Sequence, residues 1–388
     1  MQGPVWPGEI PVTALYIHIP FCASRCHYCD FTTYVAPQEA IDAYVDALLR
    51  ELAMLAPLVR EPLQTVFFGG GTPSLLSGAQ MQRIMAAVRS CFGLRPDAEV
   101  TAEANPGTLD DRRLAAYREA GINRLSFGAQ TFNPRLLAAM GRTHDAGAVR
   151  EAVRGAQAAG FTRVNVDLMF GLPDQTLADV ADALRETIAL GVEHISAYWL
   201  KVEPGTPWHE WLAEGRIQLP GEDLEADMYD LVRDTLTRAG YVHYEVSNFA
   251  RPGGEARHNL VYWRNEPYLA AGVSAHGYVA GWRYENVRPL RAYMERVRAG
   301  MRPLAWTHPV GPDEMMEDTM ILGLRLREGV SRARFRERHG IDMLDRYGPV
   351  IADLAARGLV AWTGDRLHLT DRAWPVANEV FAAFLDRH

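Results

Sequence analysis

The chain has 388 residues, 48% of them hydrophobic and 23% charged, with a formal net charge of −8 at neutral pH. That apolar fraction is ample for a core, and the length favours two domains or one large α/β domain with an appendage. No block of basic residues offsets the negative balance, which argues against nucleic acid as the main partner; no apolar run approaches the ~20 residues that span a bilayer, and no export signal is visible at the N-terminus.

In chain order, the first β-like run covers residues 14–21 and leads into Cys22-Ala23-Ser24-Arg25-Cys26-His27-Tyr28-Cys29. The C-x3-C-x2-C spacing lets one short loop present three thiolates to three corners of a metal cluster. Electron-transfer clusters are normally closed by four protein ligands; three leave one iron free to bind a substrate, as catalytic zinc keeps an open position. The competing readings are a zinc site completed by His27, or buried free thiols. His27 lies between two of the cysteines and would need an awkward turn to reach the same ion. Only four cysteines occur in the chain, and their clustering without an even framework fits a reducing cytosol. The remaining one, Cys91, sits in a helical pattern and reads as an inert core thiol.

Further β-like runs follow at residues 65–68, 99–103, 124–130, 163–169 and 194–200, separated by amphipathic helical stretches such as 41–49. Glycines punctuate helix ends at Gly121, Gly160, Gly191 and Gly240. Strands separated by helices imply a parallel sheet with right-handed crossovers. The expected fold class is therefore α/β, a partial (β/α)6 barrel with its site at the C-terminal ends of the strands. Gly69-Gly70-Gly71-Thr72-Pro73 falls at such an end. Three missing side chains would leave backbone groups open to a ligand; a bare tight turn is the plain alternative, and a dinucleotide loop lacks its G-x-G-x-x-G spacing. After about residue 300 the pattern changes to helices at 315–326, 332–339 and 343–357, a hairpin at 360–369 and a last helix. This resembles a winged helix, read here as a lid or docking unit rather than a DNA reader because its helices carry mixed charge. The implied division is a barrel over 1–250, a connecting segment over 251–300 and a C-terminal helical, winged-helix-like domain over 301–388.

The cysteine run, residues 69–73 and the barrel units resemble the radical S-adenosylmethionine (SAM) superfamily, and the likeness covers nearly the whole chain. Residues 16–21 and Glu103-Ala104-Asn105-Pro106 narrow it to the group of the oxygen-independent coproporphyrinogen III dehydrogenase, HemN, and the heme chaperone family, HemW. The resemblance implies a 4Fe–4S cluster held by Cys22, Cys26 and Cys29. Its open iron would chelate SAM, whose sulfonium C–S bond is broken reductively. It also implies SAM contacts from Tyr16, Tyr28, Gly70, Gly71, Thr72, Glu103, Gln130, Arg142 and Asp167. The residue types suit that work. Glu103 and Asp167 end strands and can accept from an ammonium or ribose, Arg142 can pair a carboxylate in forked geometry, and Gln130 offers donor and acceptor. Taken singly, each could equally be a capped or solvated polar residue.

Two departures separate the relatives. The dehydrogenase carries a further cysteine two residues after the third ligand, where this chain has Phe31, and a long extension ahead of the first strand, which here has about a dozen residues before it. In their place His258-Asn259-Leu260-Val261-Tyr262-Trp263 matches the chaperone's H-N-x-x-Y-W signature. Imidazole is a common axial ligand of heme iron, so His258 is the expected heme ligand, with Tyr262 and Trp263 over the porphyrin. His276, in Ala275-His276-Gly277, reads as a second ligand or a pocket wall, the wall being favoured. The expectation is a cytoplasmic heme chaperone that binds a 4Fe–4S cluster, SAM and heme. By resemblance its partners are heme-acceptor proteins, respiratory ones at the membrane surface among them, and its own second copy in a homodimer. Whether it is also an enzyme, and whether it takes one or two SAM molecules, the residues leave open. The alternative is the dehydrogenase itself, decarboxylating coproporphyrinogen III to protoporphyrinogen IX; an RNA-modifying radical enzyme is a distant third.

Overall fold

The computed structural model describes residues 11–385. Six parallel strands form its centre: β1 (Ala14–Ile19), β2 (Leu63–Gly70), β3 (Leu94–Ala104), β4 (Arg124–Gln130), β5 (Arg163–Phe170) and β6 (His194–Trp199). Helices join consecutive strands, beginning with Gln38–Leu55 and Gly78–Phe92. Alternation along each strand divides its side chains between two faces. Leu15, Ile17, Ile19, Val66 and Phe68 share one core cluster with Leu48 and Leu52 of the first helix. Fully burying one such side chain stabilises by roughly 1.5–3 kcal/mol. The intervening positions make an inner surface of different chemistry. Register places Glu103 beside Ser126, Ser126 beside Asn165 and Asn165 beside His194, with Gly128, Asp167 and Ser196 in the next row toward the strand ends.

The expected partial barrel is present, and its sheet is wider than six strands. β8 (Asn248–Ala250) adds antiparallel to β6, β7 (Val242–His243) adds antiparallel to β8, and β9 (Leu269–Ala271) pairs in parallel with β1, giving a nine-stranded order β7-β8-β6-β5-β4-β3-β2-β1-β9. A division at residue 250 therefore cuts one sheet. Three residues of β9 are too few to show a periodicity, so the connecting segment hides its strand.

A second sheet, β10 (His276–Val279), β11 (Trp282–Asn286) and β12 (Leu304–Pro309), is antiparallel. Its entry turn is anchored by Glu51 of the first helix, whose carboxylate accepts from Gly272 N at 2.7 Å, Asn286 Nδ2 at 2.6 Å and the Tyr293 hydroxyl at 2.5 Å. Burial pushes Glu51 up to about 7 against these three donors. The C-terminal unit runs helix Pro312–Gly323, β13 (Val330–Ser331), helices Arg332–His339 and Met343–Ala356, then the hairpin β14 (Val360–Thr363) and β15 (Arg366–Leu369), with β15 central. That is the helix and wing plan expected, with a short strand added after its first helix. Among the described residues no helix is long and apolar enough to cross a membrane.

Candidate functional site

The cysteine loop leaves β1 and is pinned at both ends by backbone bonds. Cys22 N donates to Tyr34 O at 3.0 Å, Tyr34 N returns to Pro20 O at 2.7 Å, and His27 N donates to Met140 O at 3.0 Å. His27 turns away from the thiols: its Nδ1 lies 2.9 Å from Ala139 O and its ring packs 4.8 Å from that of Trp211. Among the described residues no three His, Cys, Asp or Glu side chains converge as a single metal ion requires. Ligands held at separate corners of a cluster need no such convergence.

All three thiols line one cavity of about 550 Å³ at the C-terminal ends of the strands, and Tyr28, Gly70, Gly71, Thr72, Glu103, Gln130, Arg142 and Asp167 line it with them. Burial raises the Cys22 thiol and pushes Cys29 up to about 11; a bound metal would reverse this by taking the thiolate. A chain of polar contacts links two of the thiols. Thr72 Oγ1 donates to Cys22 Sγ at 3.5 Å, Asn105 Nδ2 donates to Thr72 Oγ1 at 3.1 Å, Arg142 Nη2 donates to Asn105 Oδ1 at 2.8 Å, and Arg142 Nη1 reaches Cys26 Sγ at 3.6 Å. Arg142 Nη2 also donates to Gly128 O. Its Nε is buried without a hydrogen-bond partner, so the cavity has an unmet donor.

Two carboxylates line the same cavity. Asp167 accepts from Asn165 Nδ2 at 2.7 Å and Ser126 Oγ at 3.1 Å, while Glu103 accepts only from Gly70 N, at 3.1 Å, among the described residues. Burial and then the nearby Asp167 push Glu103 up to about 8. Two buried carboxylates side by side call for a cation or hydroxyl donors from a ligand. Gln130 rims the same space with a φ of +66°, a left-handed conformation that costs a non-glycine residue about 1–3 kcal/mol and that clusters at functional sites.

The glycine turn works differently from expectation. A Cβ on Gly70 would meet the His18 ring at 2.3 Å, and one on Gly71 would meet Phe21 O, Ile19 O and Phe21 N at 2.7, 2.8 and 2.8 Å. The missing side chains thus admit the protein's own β1 exit, seating the cysteine loop against the turn through Gly71 N to Ile19 O and Thr72 N to Phe21 O.

Two predicted site residues fall outside the cavity lining. Tyr16 stands behind the turn, its hydroxyl 2.9 Å from His18 Nδ1 and its ring stacked on Phe67. His258 is fully buried, with Nδ1 2.8 Å from Thr65 Oγ1, Nε2 2.8 Å from the Tyr262 hydroxyl, and its ring stacked on Phe67. Burial lowers its pKa to about 3. Both ring nitrogens are bonded inside the fold, so an axial-ligand role would first require one of those two bonds to break and the ring to gain access to the cargo. The motif divides its labour: His258 and Tyr262 brace the barrel, Asn259 lines the cavity, and Trp263 lies under the Arg325 guanidinium, 4.6 Å away. His276 is exposed rather than a pocket wall. Asn105, Ser126, Asn165 and Ser196 were missed; their signal is polarity at every second position of strands that are otherwise apolar. Cys91, expected as a core thiol, is only partly buried and packs against the core from its edge.

A family model described as the radical SAM superfamily matches residues 16–187, and one described as the HemN C-terminal domain matches residues 310–376. The heme chaperone HemW of Bacillus subtilis is 41% identical over 95% of this chain and 98% of its own length. That of Escherichia coli is 36% identical over 97% and 99%. Among solved structures, the coproporphyrinogen III oxidase HemN of Escherichia coli, described as a radical SAM enzyme, superposes with a TM-score of 0.84 at 27% identity, covering 97% of this chain and 90% of that one.

Proposed function

The chain belongs to the radical SAM superfamily and, within it, to the HemW heme chaperone family, and from that premise we propose that it carries a 4Fe–4S cluster with SAM in the barrel and binds heme for delivery to acceptor proteins. The observation that carries the cofactor half is the cavity itself, lined by three thiols, by an arginine with a buried unmet donor that reaches one of them, and by a carboxylate pair. When bound, the cluster and SAM supply one-electron cleavage of a sulfonium carbon–sulfur bond. The chain's own residues do the rest. Cys22, Cys26 and Cys29 would hold three irons and leave the fourth uncapped. Thr72 donates to the Cys22 sulfur and so favours its thiolate form, and Arg142 donates to the Cys26 sulfur. Glu103 and Asp167 offer acceptors for an ammonium or ribose, and Gln130 reads polar groups with both donor and acceptor. Tyr16 acts at one remove, through His18 and the glycine turn.

The heme half rests on the relatives' names and concerns cargo rather than a resident cofactor. Phe31, which lines the cavity where the dehydrogenase has cysteine, supports transfer over decarboxylation. Anaerobically reconstituted protein given coproporphyrinogen III, SAM and dithionite is expected to form no protoporphyrinogen IX and to bind added hemin with a defined Soret band. Protoporphyrinogen at catalytic turnover, or no hemin binding, would overturn the proposal.

A further inference from the structure

Heme delivery needs an iron ligand that the cargo can reach. Among the described residues His18, His194 and His258 are buried with both ring nitrogens hydrogen-bonded inside the fold, and His243 is buried as well. His209, on the helix Pro207–Ala213, and His276, at the start of β10, are exposed, and the His308 side chain is 41% exposed but holds Glu314 Oε2 through its Nε2 at 2.7 Å.

His276 has the surroundings of a ligand. It pairs across the ladder with Glu285 of β11, and Glu285 pairs with Trp306 of β12. Directly opposed residues share a face, so imidazole, carboxylate and indole form one row, spanning two strand spacings, roughly 10 Å. The next row brings Arg283 and His308 to that face. Trp306 is 49% exposed, and its ring lies parallel to that of His308, with centroids 5.6 Å apart and 2° between planes. Glu285 Oε2 stands 3.5 Å from His276 Nε2, longer than a hydrogen bond but close enough that a small ring rotation gives the carboxylate–histidine pair that orients an imidazole and strengthens its other nitrogen as a ligand. Glu285 also holds Arg288, whose side chain is 68% exposed, at 2.6 Å.

The geometry points to this outer face of β10, β11 and β12 as the heme seat, with His276 as axial ligand, Trp306 under the macrocycle and Arg288 taking a propionate. The occupant follows from complementarity: a flat apolar ring with an open metal site and two carboxylates matches an exposed imidazole, a flat indole and a guanidinium. The face is tied to the cysteine loop, since the Tyr34 hydroxyl donates to Arg288 O at 2.5 Å while Tyr34 O accepts from Cys22 N. The assignment deepens the heme reading above and rests on it.

Titration of the full-length reconstituted protein with ferric hemin, followed at the Soret band, tests it against His276→Ala, His209→Ala and Trp306→Ala, each checked for an unchanged melting curve. His276→Ala is expected to shift the band and to weaken binding at least tenfold, Trp306→Ala to weaken binding with the band position kept, and His209→Ala to match wild type. Iron-free protoporphyrin IX should bind wild type and His276→Ala alike, because it has no axial bond to lose. Equal affinity and band position for His276→Ala and wild type would overturn the seat while leaving the heme reading standing, and so would loss of the band in His209→Ala alone. Absence of hemin binding by wild type would overturn both.

Discussion

Replacing Gly71 by alanine probes the joint on which the site depends. The new Cβ would lie 2.7–2.8 Å from Phe21 O, Ile19 O and Phe21 N, against an ordinary heavy-atom contact of about 3.5 Å or more. All three atoms are backbone, so no side chain can swing aside. Relief requires the β1 exit to move away from the turn, loosening Gly71 N to Ile19 O at 2.8 Å and Thr72 N to Phe21 O at 2.7 Å. Overpacking of this kind costs about 1–3 kcal/mol, and weakening two backbone bonds adds roughly 1 kcal/mol. Phe21 immediately precedes Cys22, so the same movement drags the first thiol from its place. The assay is paired: denaturant unfolding, and iron and sulfide content after anaerobic reconstitution. Gly71→Ala is expected to lose about 2–4 kcal/mol and most of its iron. Gly348→Ala is the control, because its Cβ meets nothing within 4 Å in the helix Met343–Ala356. Wild-type stability together with full iron in Gly71→Ala would refute the reasoning.

Three further expectations follow from the buried polar groups. Glu103, pushed up to about 8, holds its proton at pH 7; a bound ammonium would draw it off, so calorimetry in buffers of different ionisation enthalpy should show proton release on SAM binding that Glu103→Gln abolishes, and equal release in both would contradict this. Glu51 has a folded pKa of about 7, above its ordinary 4.5; a raised acid loses stabilising effect as pH climbs through that interval, so stability should fall between pH 5 and pH 8 in wild type and fall less in Glu51→Gln, a parallel decline being the contrary result. His258→Phe leaves the Thr65 and Tyr262 hydroxyls without their partner and should cost about 2–4 kcal/mol in urea unfolding; a variant as stable as wild type would deny His258 its bracing role.

What the sequence disclosed depended on whether chemistry was written in spacing or in facing. Cys22, Cys26 and Cys29 were legible because a loop keeps its spacing wherever it lies, and the strands of the barrel because buried apolar runs between helices admit few arrangements. The sheet's edges were not legible: β9 is three residues long, and β7 and β8 pair antiparallel after a helix. The inward row Ser126, Asn165 and Ser196 looked like ordinary strand polarity until register set it beside Glu103 and Asp167. His258 shows what spacing leaves out, since a motif names its residues but not the face they take: this imidazole lies in the core while His276 is exposed. The glycine turn was rightly placed at a strand end, yet its open space is filled by β1.

The proposed cluster would leave one iron uncapped by the polypeptide beside Cys22, Cys26 and Cys29. Electron paramagnetic resonance of the anaerobically reconstituted, dithionite-reduced protein, recorded with and without SAM, tests this directly. The expected result is a reduced cubane signal that changes on adding SAM and is lost in Cys26→Ala; a signal indifferent to SAM, or a cluster retained in full by Cys26→Ala, would contradict it.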